Sequence, residues 1–269
     1  MSADTPAPAA PTPNGDPTGS APLRVAVLGA RGRMGAEACR AVEAADDLEL
    51  VARIGRGDDL ETVREAGAQV IVDLTVPDVT EQNVLWAVDH GIHVVVGTTG
   101  WTDESRDRVR ATLEEAPGVG VLIAPNFAIG AVLAMRFART AARFYESAEI
   151  VELHHPDKVD APSGTARHTA AAIAAGRAEA GLGAVPDATR SDPDGARGAE
   201  VDGVHVHAVR LRGLVAHEEI LFGGVGEQLT IRHDSFDRVS FMPGVLLGVR
   251  EVGRRPGLTV GLDQYLDLD

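Results

Sequence analysis

From residue 23 onward, short runs of apolar and β-branched residues alternate with stretches whose apolar positions recur at helical spacing. The run at 24–28 (R-V-A-V-L) predicts a strand, and 34–45 predicts the helix that follows it. Further strands are predicted at 48–53, 69–74, 92–96 and 119–123, with helices near 78–90 and 102–115. Strands that are apolar on both faces and separated by helices predict a parallel, doubly wound sheet of Rossmann type. The rhythm changes after Asn126. A helix over 128–146, a strand at 149–153 and an alanine-rich helix over 164–180 precede a Gly-, Pro- and Asp-rich loop at 183–203. Residues 204–211, 215–222 and 228–233 then alternate apolar and polar, which predicts antiparallel strands with one wet face. A helix over 237–252 and a short strand end the pattern. The expected fold class is α/β: a Rossmann-like domain plus an α+β domain with a mixed or antiparallel sheet. The expected division is 23–128 with 239–269, then 129–238.

Residues 1–22 hold six of the fifteen prolines and no Lys or Arg, so they predict a disordered lead-in, not a signal peptide. The 269-residue chain carries 40 acidic and 25 basic residues, a net charge of −15. That balance argues against a nucleic-acid surface, and an aromatic content of 4% gives little for single strands to stack on. No apolar run is long enough to span a bilayer. Cys39 has no partner for an internal disulfide, which fits a reducing compartment. Of the 25 basic residues only Lys158 is lysine.

The first strand runs into Gly29-Ala30-Arg31-Gly32-Arg33-Met34-Gly35 at the start of the first helix. Glycines there allow a tight turn and close approach of a pyrophosphate to the helix N-terminus. The spacing is G-x-x-G-x-x-G, so the usual dinucleotide fingerprint is partly met; a purely structural turn is the alternative. Strand 2 ends in Arg53-Ile54-Gly55-Arg56-Gly57 with no acid before Asp58. Arg53 and Arg56, with Arg31 and Arg33, would receive a 2′-phosphate, which predicts a preference for NADPH over NADH; solvated surface arginines are the alternative. Gly97-Thr98-Thr99-Gly100 and Ala124-Pro125-Asn126-Phe127 follow strands 4 and 5, where ligands of open parallel sheets bind.

The second candidate segment is E-L-H-H-P-D-K-V-D-A-P-S-G-T-A, residues 152–166. It brings His154, His155 and Lys158 to a helix start at Gly164 and Thr165. Histidine exchanges protons near neutrality, lysine can yield a proton where arginine cannot, and the helix start receives anions. Together they suit a carboxylated substrate that needs a proton as well as hydride. Metal ligation by the histidine pair lacks companion ligands at metal spacing, and a plain polar turn is the remaining alternative. His205, His207, His217 and His233 fall on the later strands and read as surface or core-satisfied residues, with lining of the ligand cleft as the alternative.

These motifs, in this order, resemble the 4-hydroxy-tetrahydrodipicolinate (dihydrodipicolinate) reductase family in its actinobacterial form, across residues 23–268. The resemblance implies a cytoplasmic homotetramer of diaminopimelate and lysine biosynthesis that uses NADH or NADPH on a cyclic imine dicarboxylate and releases water. It implies His154 as proton donor or acceptor, Lys158 as second proton donor, and His155, Gly164 and Thr165 at the substrate. It places Gly29 to Met34, Arg56, Gly97, Thr98, Thr99 and Ala124 to Phe127 at the cofactor, with Arg238 and Phe241 approaching it. Many members carry an acid after strand 2 where this chain has Gly55, which agrees with the NADPH preference. It further implies closure of two domains about hinges near 127–130 and 236–240. Competing readings are a reductase of another carboxylated imine and a non-enzymatic dinucleotide sensor.

Overall fold

The structure, a computed structural model, describes residues 21–266. The expected lead-in therefore lies outside the described residues, apart from Ala21 and Pro22. The first sheet contains β1 (Leu23–Leu28), β2 (Leu48–Ile54), β3 (Val70–Asp73), β4 (His93–Val96), β5 (Gly120–Ile123) and β11 (Gly257–Val260), in spatial order β11-β5-β4-β3-β1-β2 and all parallel. Its intervening helices are α1 (Arg33–Glu43), α2 (Glu61–Glu65), α3 (Pro77–Asp89) and α4 (Asp103–Glu115).

Both faces of its central strands β1, β3, β4 and β5 are buried, which is why these read as continuous apolar runs. On β1, Val25 and Val27 pack with residues of α1 and the C-terminal helix α7 (Met242–Glu251), while Ala26 and Leu28 face residues of α3 and α4. The chain reverses its direction of travel across the sheet between β1 and β3. That leaves a crevice at their carboxyl ends, the usual ligand position in such sheets.

The second sheet holds β6 (Ser147–His154), β7 (Ala199–Val201), β8 (Val204–Arg210), β9 (Ala216–Gly224) and β10 (Glu227–Ser235), in order β10-β9-β6-β8-β7. One face packs on α5 (Ile129–Ala141) and α6 (Gly164–Glu179) around Ile150, Ile220 and Phe222. The sheet is mixed: β8 runs parallel to β6, not antiparallel as the alternation predicted. The reason is topological: α6 and the loop after it lead into β7, which runs opposite to β6, and the β7–β8 hairpin turns the chain back into the direction of β6.

Other differences are local. The short α2 was not foreseen, and β7 lies inside the expected loop. Helix α5 ends at Ala141, so Phe144 and Tyr145 sit in the turn beyond it. The expected helix over 237–252 starts as a 3-10 turn, Arg238–Phe241, and becomes α-helical at Met242, where Pro243 in the first turn needs no N–H partner. The terminal strand β11 pairs with β5, so the chain's end lies in the first sheet.

Candidate active site

The glycine turn sits over the crevice between β1 and β3. Gly29 has φ +76°, and a Cβ there would lie 2.4 Å from the Leu74 carbonyl oxygen. A Cβ on Gly35 would lie 2.1 Å from the Gly29 carbonyl oxygen. Neither position tolerates a side chain, because backbone fills the space. Gly32 is the N-cap of α1 and supplies no side-chain cap, so the first-turn N–H groups of that helix stay open to an anion. This backbone cradle fits a dinucleotide pyrophosphate.

The four arginines expected to gather beside it behave differently from one another. Arg53 turns away to pair with Glu43. Arg31 pairs with Asp58 at 3.1 Å, and Asp58 also accepts the Gly55 N–H at 2.8 Å. The loop thus folds an acid back to the end of β2, which the linear sequence did not reveal. Arg33 and Arg56 are exposed and make no ion pair among the described residues.

The two remaining loops of the first sheet are held from beneath. Asp73 at the end of β3 is fully buried. It accepts the Thr75 N–H at 2.9 Å, and the Asn83 amide and Thr98 hydroxyl donate to it at 3.0 and 3.3 Å. Thr98 is therefore anchored and largely buried, whereas Thr99 is exposed. The Phe127 ring is 3% exposed and packs under Gly97, so only its backbone can meet a ligand. The Asn126 amide donates to the Thr165 hydroxyl at 3.0 Å and its Oδ1 accepts the Ala128 N–H, linking the two sheets.

On the second sheet, the face that packs on α5 and α6 is apolar at one end and polar at the other. Along β6 the inward positions read Ala148, Ile150, Glu152 and His154. Glu152 is fully buried and is the hub of this end. Arg210 of β8 donates to both of its oxygens at 2.8 Å, His154 Nδ1 lies 2.5 Å away, and the Ser163 N–H donates at 3.1 Å. Burial alone would raise this carboxyl's pKa; the hydrogen bonds from His154 and Arg210 outweigh it and hold the value at about 2. An ionised carboxylate only accepts, so His154 carries its proton on Nδ1 and keeps Nε2 for the cleft. Arg210 also donates to the Asp160 carbonyl at 2.8 Å, fixing the loop that carries Lys158.

Lys158 donates to Asp160 at 2.6 Å. His155 Nδ1 is buried without a hydrogen-bond partner. Ser163 caps α6 by accepting the Ala166 N–H at 3.2 Å, which leaves Gly164 and Thr165 at the open helix start.

These parts meet across one cleft of about 320 Å³. Its walls include Met34 from the glycine turn, His154, His155 and Lys158 from the loop, and Arg238 and Phe241 from the 3-10 turn. A smaller recess joins Asn126, Thr165 and His154 to Glu218 and His233. Glu152, Arg210, Asp73 and Glu218 were not singled out from sequence. Only Glu152 left a legible signal, since it precedes His154 by two residues and so shares its strand face. No group of three or more His, Cys, Asp or Glu placed to hold a metal occurs among the described residues.

The family model described as dihydrodipicolinate reductase, N-terminus, matches residues 23–127, and its C-terminus counterpart matches residues 130–266. The chain is 66% identical over 247 residues to a 4-hydroxy-tetrahydrodipicolinate reductase of Streptomyces griseus, covering 92% of this chain and 99% of that one. It is 65% identical over 246 residues to the enzyme of the same name from Nocardia farcinica, covering 91% and 99%. Among solved structures, dipicolinate-bound dihydrodipicolinate reductase from Paenisporosarcina sp. TG-14 superposes with a TM-score of 0.80 at 37% identity, over 91% of this chain and 100% of that one. With two family models covering nearly all the described residues, the chain belongs to the dihydrodipicolinate reductase family.

Proposed function

We propose that this chain reduces 4-hydroxy-tetrahydrodipicolinate to tetrahydrodipicolinate with loss of water, as an oxidoreductase of diaminopimelate and lysine biosynthesis. A bound NADPH or NADH supplies the hydride. The observation that carries this reading is the single cleft in which Met34 of the glycine turn faces His154, His155 and Lys158. The family membership fixes the chemistry that such a cleft is built to perform.

The residues divide the work by position. The turn from Gly29 to Met34 receives the pyrophosphate on backbone N–H groups. Gly97, Thr98 and Thr99, with Ala124, Pro125, Asn126 and the Phe127 backbone, form the loops facing the nicotinamide end. The open first turn of α6 at Gly164 and Thr165, with His155, receives a substrate carboxylate. His154, held by Glu152 through Nδ1, presents Nε2 for proton exchange, and Lys158 supplies a second ammonium proton. The substrate's carboxylate competes with Asp160 for that ammonium, drawing Lys158 into the cleft. Arg33 and Arg56, with Arg31 balanced by Asp58, favour the extra phosphate of NADPH, while Asp58 gives NADH an acceptor for its ribose hydroxyls.

Residues 23–128 with 239–269, of which 267–269 lie outside the described residues, form the cofactor unit and 129–238 the substrate and oligomerisation unit, closing about 127–130 and 236–240. The assembly is a homotetramer in the cytoplasm. No helix among the described residues is long and apolar enough to cross a membrane.

The test is NADPH oxidation with enzymatically generated substrate. Wild type should turn over, and Lys158→Ala should lose about 10²- to 10⁴-fold in kcat/KM, the usual worth of a positioned proton donor. No turnover by wild type removes the substrate assignment. Full activity in Lys158→Ala removes the lysine's role alone.

A further inference from the structure

Three strands of the second sheet place a row of polar side chains on the face that covers α5 and α6. Glu152 of β6 lies directly opposite Glu218 of β9, and Glu218 lies directly opposite His233 of β10. Glu218 is 4% exposed, and its Oε1 is buried without a hydrogen-bond partner. It lines the recess shared by His154, Thr165 and Asn126. None of the roles assigned above uses it.

Its partners and surroundings favour the neutral acid. Thr169 Oγ1 lies 2.9 Å from Glu218 Oε2 and 3.1 Å from the Thr165 carbonyl oxygen. A hydroxyl owns one hydrogen, and a carbonyl oxygen owns none. With Glu218 ionised, Thr169 must share its one hydrogen between the two oxygens; with Glu218 Oε2 protonated and donating to Thr169, that hydrogen is free for the Thr165 carbonyl alone. The surroundings favour the same state. Glu152 across β6 is an anion whose charge is already matched by Arg210. His233 across β10 has its pKa lowered by burial, so it offers no cation near neutrality. His154 is committed to Glu152, and α5 contributes Ala128 and Ala131 to the recess. On α6, the neighbours of Glu218 are the uncharged Thr169 and Thr165, while Arg167 and His168 are exposed. His217, which also lines the recess, pairs with Asp234, and Arg232 pairs with Asp234 and Glu219. An ionised Glu218 would be a second buried carboxylate beside Glu152, with one oxygen lacking any donor.

We propose that Glu218 is a positioning residue that works as a neutral carboxylic acid, holding Thr165 in place through Thr169, and that its ionisation weakens capture of the dicarboxylate substrate. This rests on the reading of Gly164 and Thr165 as a carboxylate site. In the neutral state the chain from Glu218 through Thr169 to Thr165 fixes the first turn of α6. Asn126 steadies the Thr165 hydroxyl from the other sheet. On ionisation the Thr169 proton turns to Glu218, the contact with Thr165 is lost, and a negative charge faces the substrate's carboxylates. Desolvation by burial raises this carboxyl's pKa to about 7; the hydrogen bond from Thr169 works against the rise and the Glu152 charge adds to it, so the change falls in the working range of pH.

The test uses the full chain with bound NADP⁺ and the unreactive dicarboxylate dipicolinate, titrated calorimetrically from pH 6 to pH 8.5. Wild-type affinity should fall as pH rises through the titration of Glu218, by up to about tenfold per pH unit, and level off at the weaker affinity of the ionised form. Glu218→Gln keeps a donor for Thr169 and cannot ionise, so its affinity should lack that fall. Glu218→Ala removes the ionisable group and leaves Thr169 free to donate to Thr165, so its affinity should also lack the fall with pH. Infrared difference spectra should show a buried protonated carboxyl in wild type at pH 6 that is gone in Glu218→Gln. Absence of that band, or superimposable pH profiles for wild type and Glu218→Gln, overturns the proposal. If neither protein binds dipicolinate at any pH, the carboxylate-site reading fails and this coupling with it; the infrared band reports the protonation separately.

Discussion

Replacing Glu152 by glutamine keeps the side-chain volume and removes the charge on which Arg210, His154 and Ser163 converge. Two routes give the size of the effect. The carboxyl is held at about 2 against an ordinary 4.5, and at 1.36 kcal/mol per pH unit this difference is about 3 kcal/mol of folded-state preference for the ionised form. Removing one partner of a buried ion pair typically costs about 3–5 kcal/mol, because the other charge stays buried. The two agree near 3 kcal/mol, which for a chain of this size lowers Tm by roughly 10 °C. The sign follows from the depressed value. The stabilisation is fully present above the ordinary carboxyl pKa and fades as pH falls toward about 2. Urea unfolding of wild type and Glu152→Gln between pH 7 and pH 3 should therefore show a gap that is constant above about pH 5 and narrows below it. His154 would lose its fixed tautomer as well, so kcat should fall by about 10²-fold. A gap under 1 kcal/mol at pH 7, or one that does not narrow in acid, would refute the hub assignment.

Three further outcomes follow from the same geometry. Gly29→Ala forces a Cβ to within 2.4 Å of the Leu74 carbonyl at φ +76°, so binding of the dinucleotide, read by fluorescence titration, should be lost along with about 1–3 kcal/mol of stability. Arg33→Ala with Arg56→Ala should lower kcat/KM for NADPH by about 10- to 100-fold while leaving the NADH value nearly constant, since charge-assisted bonds to phosphate are worth about 1.5–3 kcal/mol between them. An equal loss with both cofactors would assign the two arginines elsewhere. Asn126→Ala removes the 3.0 Å bond to Thr165 and should raise KM for the dicarboxylate more than it lowers kcat, by steady-state kinetics.

The chain's order of elements was legible because each rests on local pattern. Strands buried on both faces announced the parallel sheet, and the alternation of Glu152 and His154 put both on one face of β6. The glycine turn was legible for a related reason: a positive φ at Gly29 and backbone contact at Gly35 exclude side chains whatever the rest of the fold does. The histidine–lysine segment stood out because the chain has a single lysine and it falls there.

What pattern does not contain is which strand lies beside which. The direction of β8 departs from the expected one because alternation reports burial, not direction, and the intervening β7, paired antiparallel with β8, sets direction. That pairing is what delivers Arg210 to Glu152, 58 residues apart in sequence. Likewise, Asp58 reaches Gly55 only because its loop folds back, so the acid seemingly missing after strand 2 is present in space. Glu218 reads in sequence as one more charged residue on an alternating strand. Its burial, and the carboxylate beside it, exist only once β9 is laid against β6. Residue types and local spacing settle which chemistry is on hand; the charge state of each group depends on its solvent and neighbours, and those are properties of the packed sheet.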